Sequence, residues 1–377
     1  MGLVGGERAR LTTLILNAGS STLKASLVEH GADRPASFAT EPWVGGQADV
    51  QAGVTLDQLL ARLDLDGVEL RGIGHRVVHG GTLFRRPALI DDRVVERIDR
   101  LSPLAPLHNP IAVATIRAAR RRFGAVHQVA CFDTAFHAGL PATARHDPLP
   151  AGWSAWGIQR YGFHGLSVEW STGQAARILG RPAHDLRLVV AHLGAGCSAT
   201  AVDRGRSAWT SMGFTPLEGM MMATRAGSID PGILVHLLRH RRLDLDELER
   251  TLEHGSGLLA VGGSPDMAGL LQQEAGGDQA ARLAIAMFVD RAAATIAAAM
   301  TRLPVVDAIV LTGGIGEHAG QIRSRICRRL GVVGVPPVAA RSVSRDGLIG
   351  GRGRSPAILR IVSREDIVIA RSVERLA

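Results

Sequence analysis

LTTLILNAGSSTLKASLVEH, residues 11–30, is the stretch that decides the fold. An apolar run enters a turn of small residues, after which Leu23, Ala25 and Leu27 recur at every second position. This pattern predicts a strand, a tight turn and a second strand. The same order returns at residues 187–206, RLVVAHLGAGCSATAVDRGR, with Gly194 in the place of Gly19. Two hairpins of one design indicate a duplicated domain.

A third glycine turn lies in residues 308–326, AIVLTGGIGEHAGQIRSRI, and a helical pattern follows it. A strand, a Gly-Gly turn and a helix N-terminus leave backbone N–H groups free to bind an anion or a nucleotide. Further helices are expected at 167–179, 278–303 and 365–376. The alternation of strands and helices indicates an α/β protein. We expect two similar α/β domains facing each other across a cleft, with the last helix returning to the first domain.

The composition limits the class of protein. A chain of 377 residues, 46% of them hydrophobic, can build two packed cores. The three cysteines are widely spaced and form no CxxC pair, which argues against a disulfide framework or a zinc cage. No secretory signal is recognised, and no apolar run is expected to span a bilayer because the best candidate, 283–301, carries Asp290 and Arg291. We expect no membrane partner and a soluble protein of the reducing cytoplasm.

The net charge of +8 raises the question of nucleic-acid binding. Basic residues cluster at 117–123, 239–242 and 323–330, but no aromatic residues are interleaved with them in the manner of a nucleic-acid surface. They are typical of solvated helix faces. We therefore expect no nucleic-acid partner, while a basic protein still attracts small anionic substrates.

The glycine turns suit phosphate, because small residues allow the backbone to approach and the hydroxyls of Ser20, Ser21 and Thr22 can donate to oxygen. One such turn is equally consistent with an empty tight hairpin, whereas three in a duplicated frame favour phosphate. Lys24 is the only lysine among 43 basic residues. Either it marks a point where a compact ammonium is needed, or its position is chance.

Two arginines lie in glycine-rich segments, Arg76 in IGHRVVHGG (73–81) and Arg225 in TPLEGMMMATRAGSIDPG (215–232). A buried guanidinium needs an anion, which is either a substrate or the carboxylate of a structural ion pair. His75 and His79 invite a zinc interpretation, but no third ligand is apparent.

Eight motifs in order complete the pattern: LILNAGSSTLK, GHRVVHGG, PLHNP, FDTAFH, RYGFHG, MGFTPLEGMMMATR, GGIGE and SREDIVIAR. Together they resemble the acetate and propionate kinase family, from about residue 11 to the C-terminus. The resemblance implies the duplicated actin-like ATPase (ribonuclease H-like) fold, with Mg-ATP bound in the cleft between two domains. It also implies a flexible segment at 1–10, a first domain at 11–137 plus 366–377, and a second domain at 138–365.

The resemblance further implies reversible transfer of the γ-phosphoryl group of ATP to acetate, giving acetyl phosphate and ADP, by a cytoplasmic homodimer. Propionate is the alternative substrate, and a non-catalytic nucleotide-binding protein is the alternative from another class.

Individual roles follow from the matched motifs. Asp133, His164 and Arg225 are implied to be catalytic, and Asn17 and Glu365 to hold Mg²⁺, with Mn²⁺ as the alternative metal. Arg76 is implied to bind the substrate carboxylate, in a pocket made by Val78, Leu107, Phe163 and Pro216. The positions implied to contact ATP are Lys24, His192, Leu193, Gly194, Ala195, Gly196, Asp266, Met267, Ala268, Gly314, Ile315, Gly316, Glu317 and His318.

Several positions depart from the family pattern, mostly on the nucleotide side. Ala195 replaces the asparagine of HLGNG, Ala268 replaces an arginine, and His318 replaces the asparagine of GGIGEN. Leu166 and Val168 replace the threonine and histidine of GFHGTSH. Since one charge-assisted contact contributes about 1.5–3 kcal/mol, we expect a raised Michaelis constant for ATP rather than lost catalysis.

Overall fold

The computed structural model describes residues 10–19, 22–43, 48–63, 65, 68–241, 243–353 and 356–377. Residues 1–9 of the expected flexible segment lie outside the described residues, as do Ser20 and Ser21, which were predicted to face phosphate. Arg10, assigned to that segment by the sequence, already belongs to the first strand.

Strands and helices alternate through the described chain, which makes it an α/β protein. The strands are β1 (Arg10–Ala18), β2 (Thr22–Glu29), β3 (Ser37–Pro42), β4 (Val68–Val77), β5 (Ala88–Leu89), β6 (Gln128–Phe132), β7 (Arg187–Leu193), β8 (Cys197–Asp203), β9 (Arg206–Thr210), β10 (Ala308–Thr312), β11 (Gly347–Gly350) and β12 (Ala357–Arg360). The helices are α1 (Ala48–Leu60), α2 (Asp92–Asp99), α3 (Asn109–Phe123), α4 (Ala142–Arg145), α5 (Ala151–Ser154), α6 (Gly165–Leu179), α7 (Pro231–His236), α8 (Leu245–His254), α9 (Gly257–Gly262), α10 (Met267–Ala275), α11 (Gln279–Met300), α12 (Gly313–His318), α13 (Gly320–Arg329) and α14 (Glu365–Leu376).

The chain divides into two compact units. The first unit runs to Ala138 and takes up Arg364–Ala377, and the second unit is Gly139–Ser363. Helix α14 therefore lies in the first unit, where it packs on β4, β1 and β6. Each unit contains one sheet and its own buried apolar core.

The two sheets have the same topology, that is, the same strand order and strand directions. The first has the order β3-β2-β1-β4-β6-β5, and the second, taken from its other edge, has the order β9-β8-β7-β10-β12-β11. In each, the first three strands are antiparallel, the next two run parallel to the first, and the outer edge strand is antiparallel. The predicted hairpins are β1–β2 and β7–β8, so the predicted duplication is confirmed.

Equivalent positions in the two sheets follow from their registers. Asn17 of β1 lies opposite Lys24 of β2 and beside Arg76 of β4. His192 of β7 lies opposite Ser198 of β8 and beside Thr312 of β10. Asn17 in the first sheet therefore corresponds to His192 in the second.

The third glycine turn is tighter than predicted. Helix α12 begins at Gly313 directly after β10, without a separate turn. Gly313 has a φ of +76°, and a Cβ there would meet backbone atoms of Leu193 at 2.8–2.9 Å. The chain thus turns within one residue, which only glycine allows without strain.

Helix α11 has 22 residues and is long and apolar enough, by length and composition alone, to cross a membrane. Length and composition are the only criteria that α11 meets, so the expectation that no apolar run spans a bilayer stays a prediction. Core helices meet them as well, and α11 packs against α9, α10 and α13 with Ile285, Phe288 and Ile296 buried.

Candidate active site

The first unit brings together polar side chains from the ends of its strands. Arg76, the second-last residue of β4, donates from Nε to Oδ1 of Asp133 at 3.0 Å and to Oδ2 at 3.1 Å, and its Nη2 also reaches Oδ2. Asp133 directly follows β6, and only 1% of it is exposed. Because β4 and β6 are adjacent and parallel, their carboxyl ends place these two residues side by side.

Two further oxygen acceptors converge on Arg76. Its Nη1 donates to Oδ1 of Asn17 at 3.1 Å, and its Nε lies 3.6 Å from Oε2 of Glu365, at the start of α14. Lys24 lies opposite Asn17 across the hairpin, and its side chain is exposed. The structure therefore gathers Asn17, Arg76, Asp133 and Glu365, with Lys24 at the next register position.

Arg76 keeps its positive charge. Burial works against its cationic form, but attraction to Asp133 and Glu365 and the hydrogen bonds to Asp133 prevail and raise its pKa. The guanidinium stays protonated at any pH at which the protein is folded. A fixed cation in a half-buried position attracts an anionic ligand.

The turn after β4 is held by polar contacts with α3 and with the segment after β6. Asn109 accepts from the backbone N–H of His79 at 3.1 Å and donates to its carbonyl at 3.0 Å. Thr134 accepts from the N–H of Gly80 at 3.0 Å. Val78, predicted in the substrate pocket, is buried in this turn, and Leu107 lies half-buried just before α3.

The neighbouring histidines, His75 and His79, are buried and hydrogen-bonded within the first unit. His75 is buried in β4 and pairs through Nε2 with Oε1 of Gln128 at 2.8 Å. Burial lowers the pKa of His75 to about 4, despite the opposing effect of the hydrogen bond to Gln128. Nδ1 of His79 accepts from the N–H of Gly81 at 2.9 Å. Within the described residues no cluster of three His, Cys, Asp or Glu side chains suits a metal ion.

In the second unit, His164 stands just before α6 with φ 58° and ψ 23°. A left-handed conformation is uncommon for a residue other than glycine and points to a functional position. Its Nδ1 lies 2.9 Å from the hydroxyl of Ser198, and its ring stacks on that of His192 with centroids 4.3 Å apart. A Cβ on Gly196 would come within 3.1 Å of Nε2 of His164, so the second glycine turn passes close to this imidazole.

His192 is fixed from helix α6. Its Nδ1 lies 2.8 Å from the hydroxyl of Ser167, which in turn lies 3.0 Å from that of Ser363. The stacked imidazoles are thus each oriented by a serine, one from β8 and one from α6.

Arg225 lies in the loop segment after Met222 and is half-buried. Its Nε donates to Oε2 of Glu253, the second-last residue of α8, at 2.5 Å. The segment is attached to the second glycine turn, because the N–H of Ala223 donates to the carbonyl of Ala195 at 3.1 Å. Sequence reasoning missed Glu253, since no motif links positions 28 residues apart.

Phe163 and Pro216, both predicted in the substrate pocket, lie in segments that are fixed by hydrogen bonds near Arg160. Phe163 is buried, and its segment is held by the N–H groups of Tyr161 and Gly162, which donate to the carbonyl of Gly213. Arg160 donates to the carbonyl of Ser211 at 3.2 Å and to Glu218 at 2.8 Å. Pro216 lies half-buried in the loop so fixed.

A pocket of about 440 Å³ opens in the second unit, where the second and third glycine turns approach α10. Its walls include most of the residues predicted to contact nucleotide, together with Pro265, Leu271 and Ala319 that were not predicted. The predicted members are Gly194, Ala195, Asp266, Met267, Ala268, Gly314, Ile315 and His318.

Asp266, which was predicted to contact nucleotide, also caps a helix. Its two carboxylate oxygens accept from the N–H groups of Ala268 and Gly269 at 3.3 and 2.8 Å, so it caps α10. The carboxylate of Glu317, below the third turn, likewise accepts from the N–H groups of Gly313 and Ser363. Both carboxylates therefore bond to backbone N–H groups, and of the two residues only Asp266 lines the pocket.

Known proteins resemble this chain along most of its length. The acetokinase family model matches residues 12–371. The acetate kinase of Synechococcus sp. (strain JA-2-3B'a(2-13)) is 46% identical over 311 residues, covering 82% of this chain and 77% of that protein. The acetate kinase of Deinococcus deserti is 40% identical over 393 residues, covering 97% and 98%. A crystal structure of a propionate kinase from Francisella tularensis matches with a TM-score of 0.88 and 34% identity, covering 97% of this chain and all of that one. The predicted resemblance is confirmed, and the chain belongs to the acetokinase family.

Proposed function

We propose that the protein is an acetate kinase, which transfers the γ-phosphoryl group of ATP to acetate and forms acetyl phosphate and ADP reversibly. The observation that carries the proposal is the arrangement of Arg76 with Asp133, Asn17 and Glu365 at the strand ends of an acetokinase-family chain.

In the proposed reaction a carboxylate oxygen of acetate attacks the γ-phosphorus, and the bond from that phosphorus to the β–γ bridging oxygen breaks. Acetate is already ionised at neutral pH, so the reaction requires no general base. The obstacle is the repulsion between two anions. Cationic and hydrogen-bonding groups placed around the transferring phosphoryl group offset that repulsion.

Some of the residues bind acetate and others stabilise the transferring phosphoryl group. Arg76, held by Asp133, pairs with the substrate carboxylate, while Val78, Leu107, Phe163 and Pro216 surround its methyl group. Arg225 and His164 stabilise charge on the equatorial oxygens of the transferring group. Asp133 serves Arg76 rather than a proton, because both of its oxygens already accept from the guanidinium.

The oxygen donors beside Arg76 suit a magnesium ion, which prefers carboxylate and amide oxygens together with water and phosphate. Oδ1 of Asn17 and the carboxylate of Glu365 are the groups that would hold it, with Mn²⁺ as the alternative. When bound with ATP, the ion supplies neutralisation of phosphate charge.

We place the nucleotide in the pocket of the second unit, with Lys24 as a further contact from the first. The small side chains of Ala195 and Ala268 on its walls support a raised Michaelis constant for ATP. We also propose that the protein works in the cytoplasm as a homodimer, as the resemblance implies.

The absence of a nucleic-acid partner likewise remains a proposal. It is supported by the basic cluster of α3, where Arg117 and Arg120 pair with Asp99 and Asp92 at 2.9 and 2.6 Å.

The decisive experiment is an acyl-hydroxamate assay with purified protein, Mg-ATP and acetate, run up to high ATP concentrations. Acetyl hydroxamate that accumulates with time supports the proposal. No product at any ATP concentration would instead favour a nucleotide-binding protein without catalysis.

Propionate is the second candidate substrate, because the matched Francisella tularensis structure is a propionate kinase. One methylene in an apolar pocket changes binding by only about 1–3 kcal/mol. A series with acetate, propionate and butyrate, compared by kcat/KM, ranks the substrates directly.

A further inference from the structure

The ion pair between Arg225 and Glu253 uses only one edge of the guanidinium. Nε donates to Oε2 of Glu253, and the side chains of Arg225 and Glu253 are 16% and 12% exposed. Within the described chain, Nη1 and Nη2 of Arg225 make no hydrogen bond with a side chain or carbonyl. The outer edge of the guanidinium is therefore free to donate in parallel to two oxygens of one anion.

The backbone around this pair is fixed from both sides. The hydroxyl of Thr224 donates to the carbonyl of Glu253 at 2.7 Å, and the N–H of Ser256 donates to the carbonyl of Thr224 at 2.8 Å. Gly257 has a φ of +65°, and a Cβ there would come within 2.9 Å of the backbone N of Arg225. The end of α8 and the start of α9 thus lie directly against the segment that carries Arg225.

Arg76 provides the contrast. Asp133 engages both Nε and Nη2 of Arg76, and Asn17 engages Nη1. Of the five N–H donors of a guanidinium, Arg76 therefore commits at least three to protein groups and Arg225 commits one. Arg225 is held by a single carboxylate whose removal frees its side chain to change rotamer.

We propose that Glu253 is a positioning residue for Arg225, which it orients so that the Nη1–Nη2 edge faces the transferring phosphoryl group. The inference rests on the proposed phosphoryl-transfer function and adds to it a residue that no motif identified. Glu253 touches neither substrate in this role and acts through the Nε hydrogen bond.

The test replaces the carboxylate by an amide of the same shape, Glu253→Gln. Loss of orientation at a reacting group costs up to about 10²-fold in rate. We expect kcat to fall about 10- to 100-fold, with KM for acetate and for Mg-ATP changed less than about threefold and the melting temperature nearly unchanged. Glu253→Asp, which keeps a carboxylate, recovers part of kcat and serves as the second variant if the amide impairs folding.

The matched control is Glu249→Gln, at an exposed position of the same helix, which leaves kcat and KM unchanged. In an Arg225→Lys background, where no fixed fork remains to be oriented, Glu253→Gln lowers kcat less than about threefold. An equal loss in both backgrounds shows that Glu253 acts independently of Arg225 and overturns the inference.

The proposed function and the role of Glu253 are refuted by different results. A wild-type protein that forms no acyl hydroxamate refutes the proposed function. A wild-type protein that does form it, with Glu253→Gln retaining kcat within twofold, refutes the role of Glu253 alone.

Discussion

Arg76 and Asp133 lie edge to edge, with Nε of the guanidinium 3.0 and 3.1 Å from the two carboxylate oxygens. The aspartate is buried and its backbone N–H donates to the carbonyl of Val77, so both its side chain and its main chain are tied to β4. Because Asp133 is fixed by these bonds, it orients the guanidinium of Arg76.

Asp133→Asn tests that role. The amide keeps one acceptor but removes the charge that holds the guanidinium, so we expect kcat/KM for acetate to fall at least about tenfold. Steady-state kinetics in the hydroxamate assay measure the effect. Asp99→Asn, which breaks a partly exposed pair with Arg117, is the matched control and leaves activity unchanged. Near-normal turnover in Asp133→Asn contradicts the assignment.

Gly196→Ala tests the placement of His164. The added methyl group would lie 3.1 Å from Nε2 and 3.3 Å from Cε1 of the imidazole, so the ring must shift by a few tenths of an ångström. We expect kcat to fall about tenfold with little change in melting temperature. Gly173→Ala, on an exposed face of α6 with no atom near the new methyl, serves as the control and leaves kcat unchanged. Equal activity in both variants shows that the imidazole tolerates displacement.

His75 gives the first unit a pH-dependent stability. Burial lowers its pKa to about 4, whereas an unfolded histidine titrates near 6.5. Between these values the unfolded chain binds a proton that the folded chain does not, so the free energy of unfolding falls as the pH falls from 6.5 towards 4. The loss is on the order of 3 kcal/mol across the window and absent above it.

Calorimetry of wild type and His75→Gln at pH 7 and pH 5 measures this contribution. The variant should show a smaller drop in melting temperature between the two pH values. His127→Gln, at an exposed position, should keep the wild-type drop. An unchanged drop in His75→Gln shows that other groups govern the acid response.

Ala268→Arg tests the nucleotide pocket. Position 268 lies on the pocket wall at the start of α10, and a guanidinium there adds a cation beside the bound nucleotide. We expect KM for ATP to fall about tenfold with kcat little changed. Ala275→Arg, at the far end of the same helix, adds the same charge away from the pocket and leaves KM unchanged. A constant KM in Ala268→Arg places the nucleotide elsewhere.

The hairpins were predictable because local turn chemistry and alternation determine them. β1–β2 and β7–β8 form where glycine turns separate apolar runs, and α6 and α14 begin within two residues of their predicted starts. The topology of both sheets follows from the family resemblance, since β4 and β6 are joined only through long connections. The assignment of Arg76 and Asp133 to the candidate site came from the same resemblance.

The remaining details depend on packing that no local pattern encodes. Glu253 reaches Arg225 only because α8 ends against the Met222–Arg225 segment. Asp266 was predicted as a nucleotide contact from its motif, but its carboxylate caps a helix, a task that any favourable N-terminus offers to an aspartate. The single-residue turn at Gly313 depends on the backbone of Leu193, which lies more than a hundred positions away.

Because the two sheets have the same topology, residues at equivalent positions of the two can be compared directly. Asn17, Lys24 and Arg76 of the first sheet occupy the same register positions as His192, Ser198 and Thr312 of the second. Architecture is therefore held constant between the copies, and the difference at these positions is one of charge: two cations in one copy and none of fixed charge in the other. The duplicated scaffold therefore differs in side-chain chemistry at three matched positions, and the ion pair of Arg225 with Glu253 places fixed charge in the second unit outside those positions.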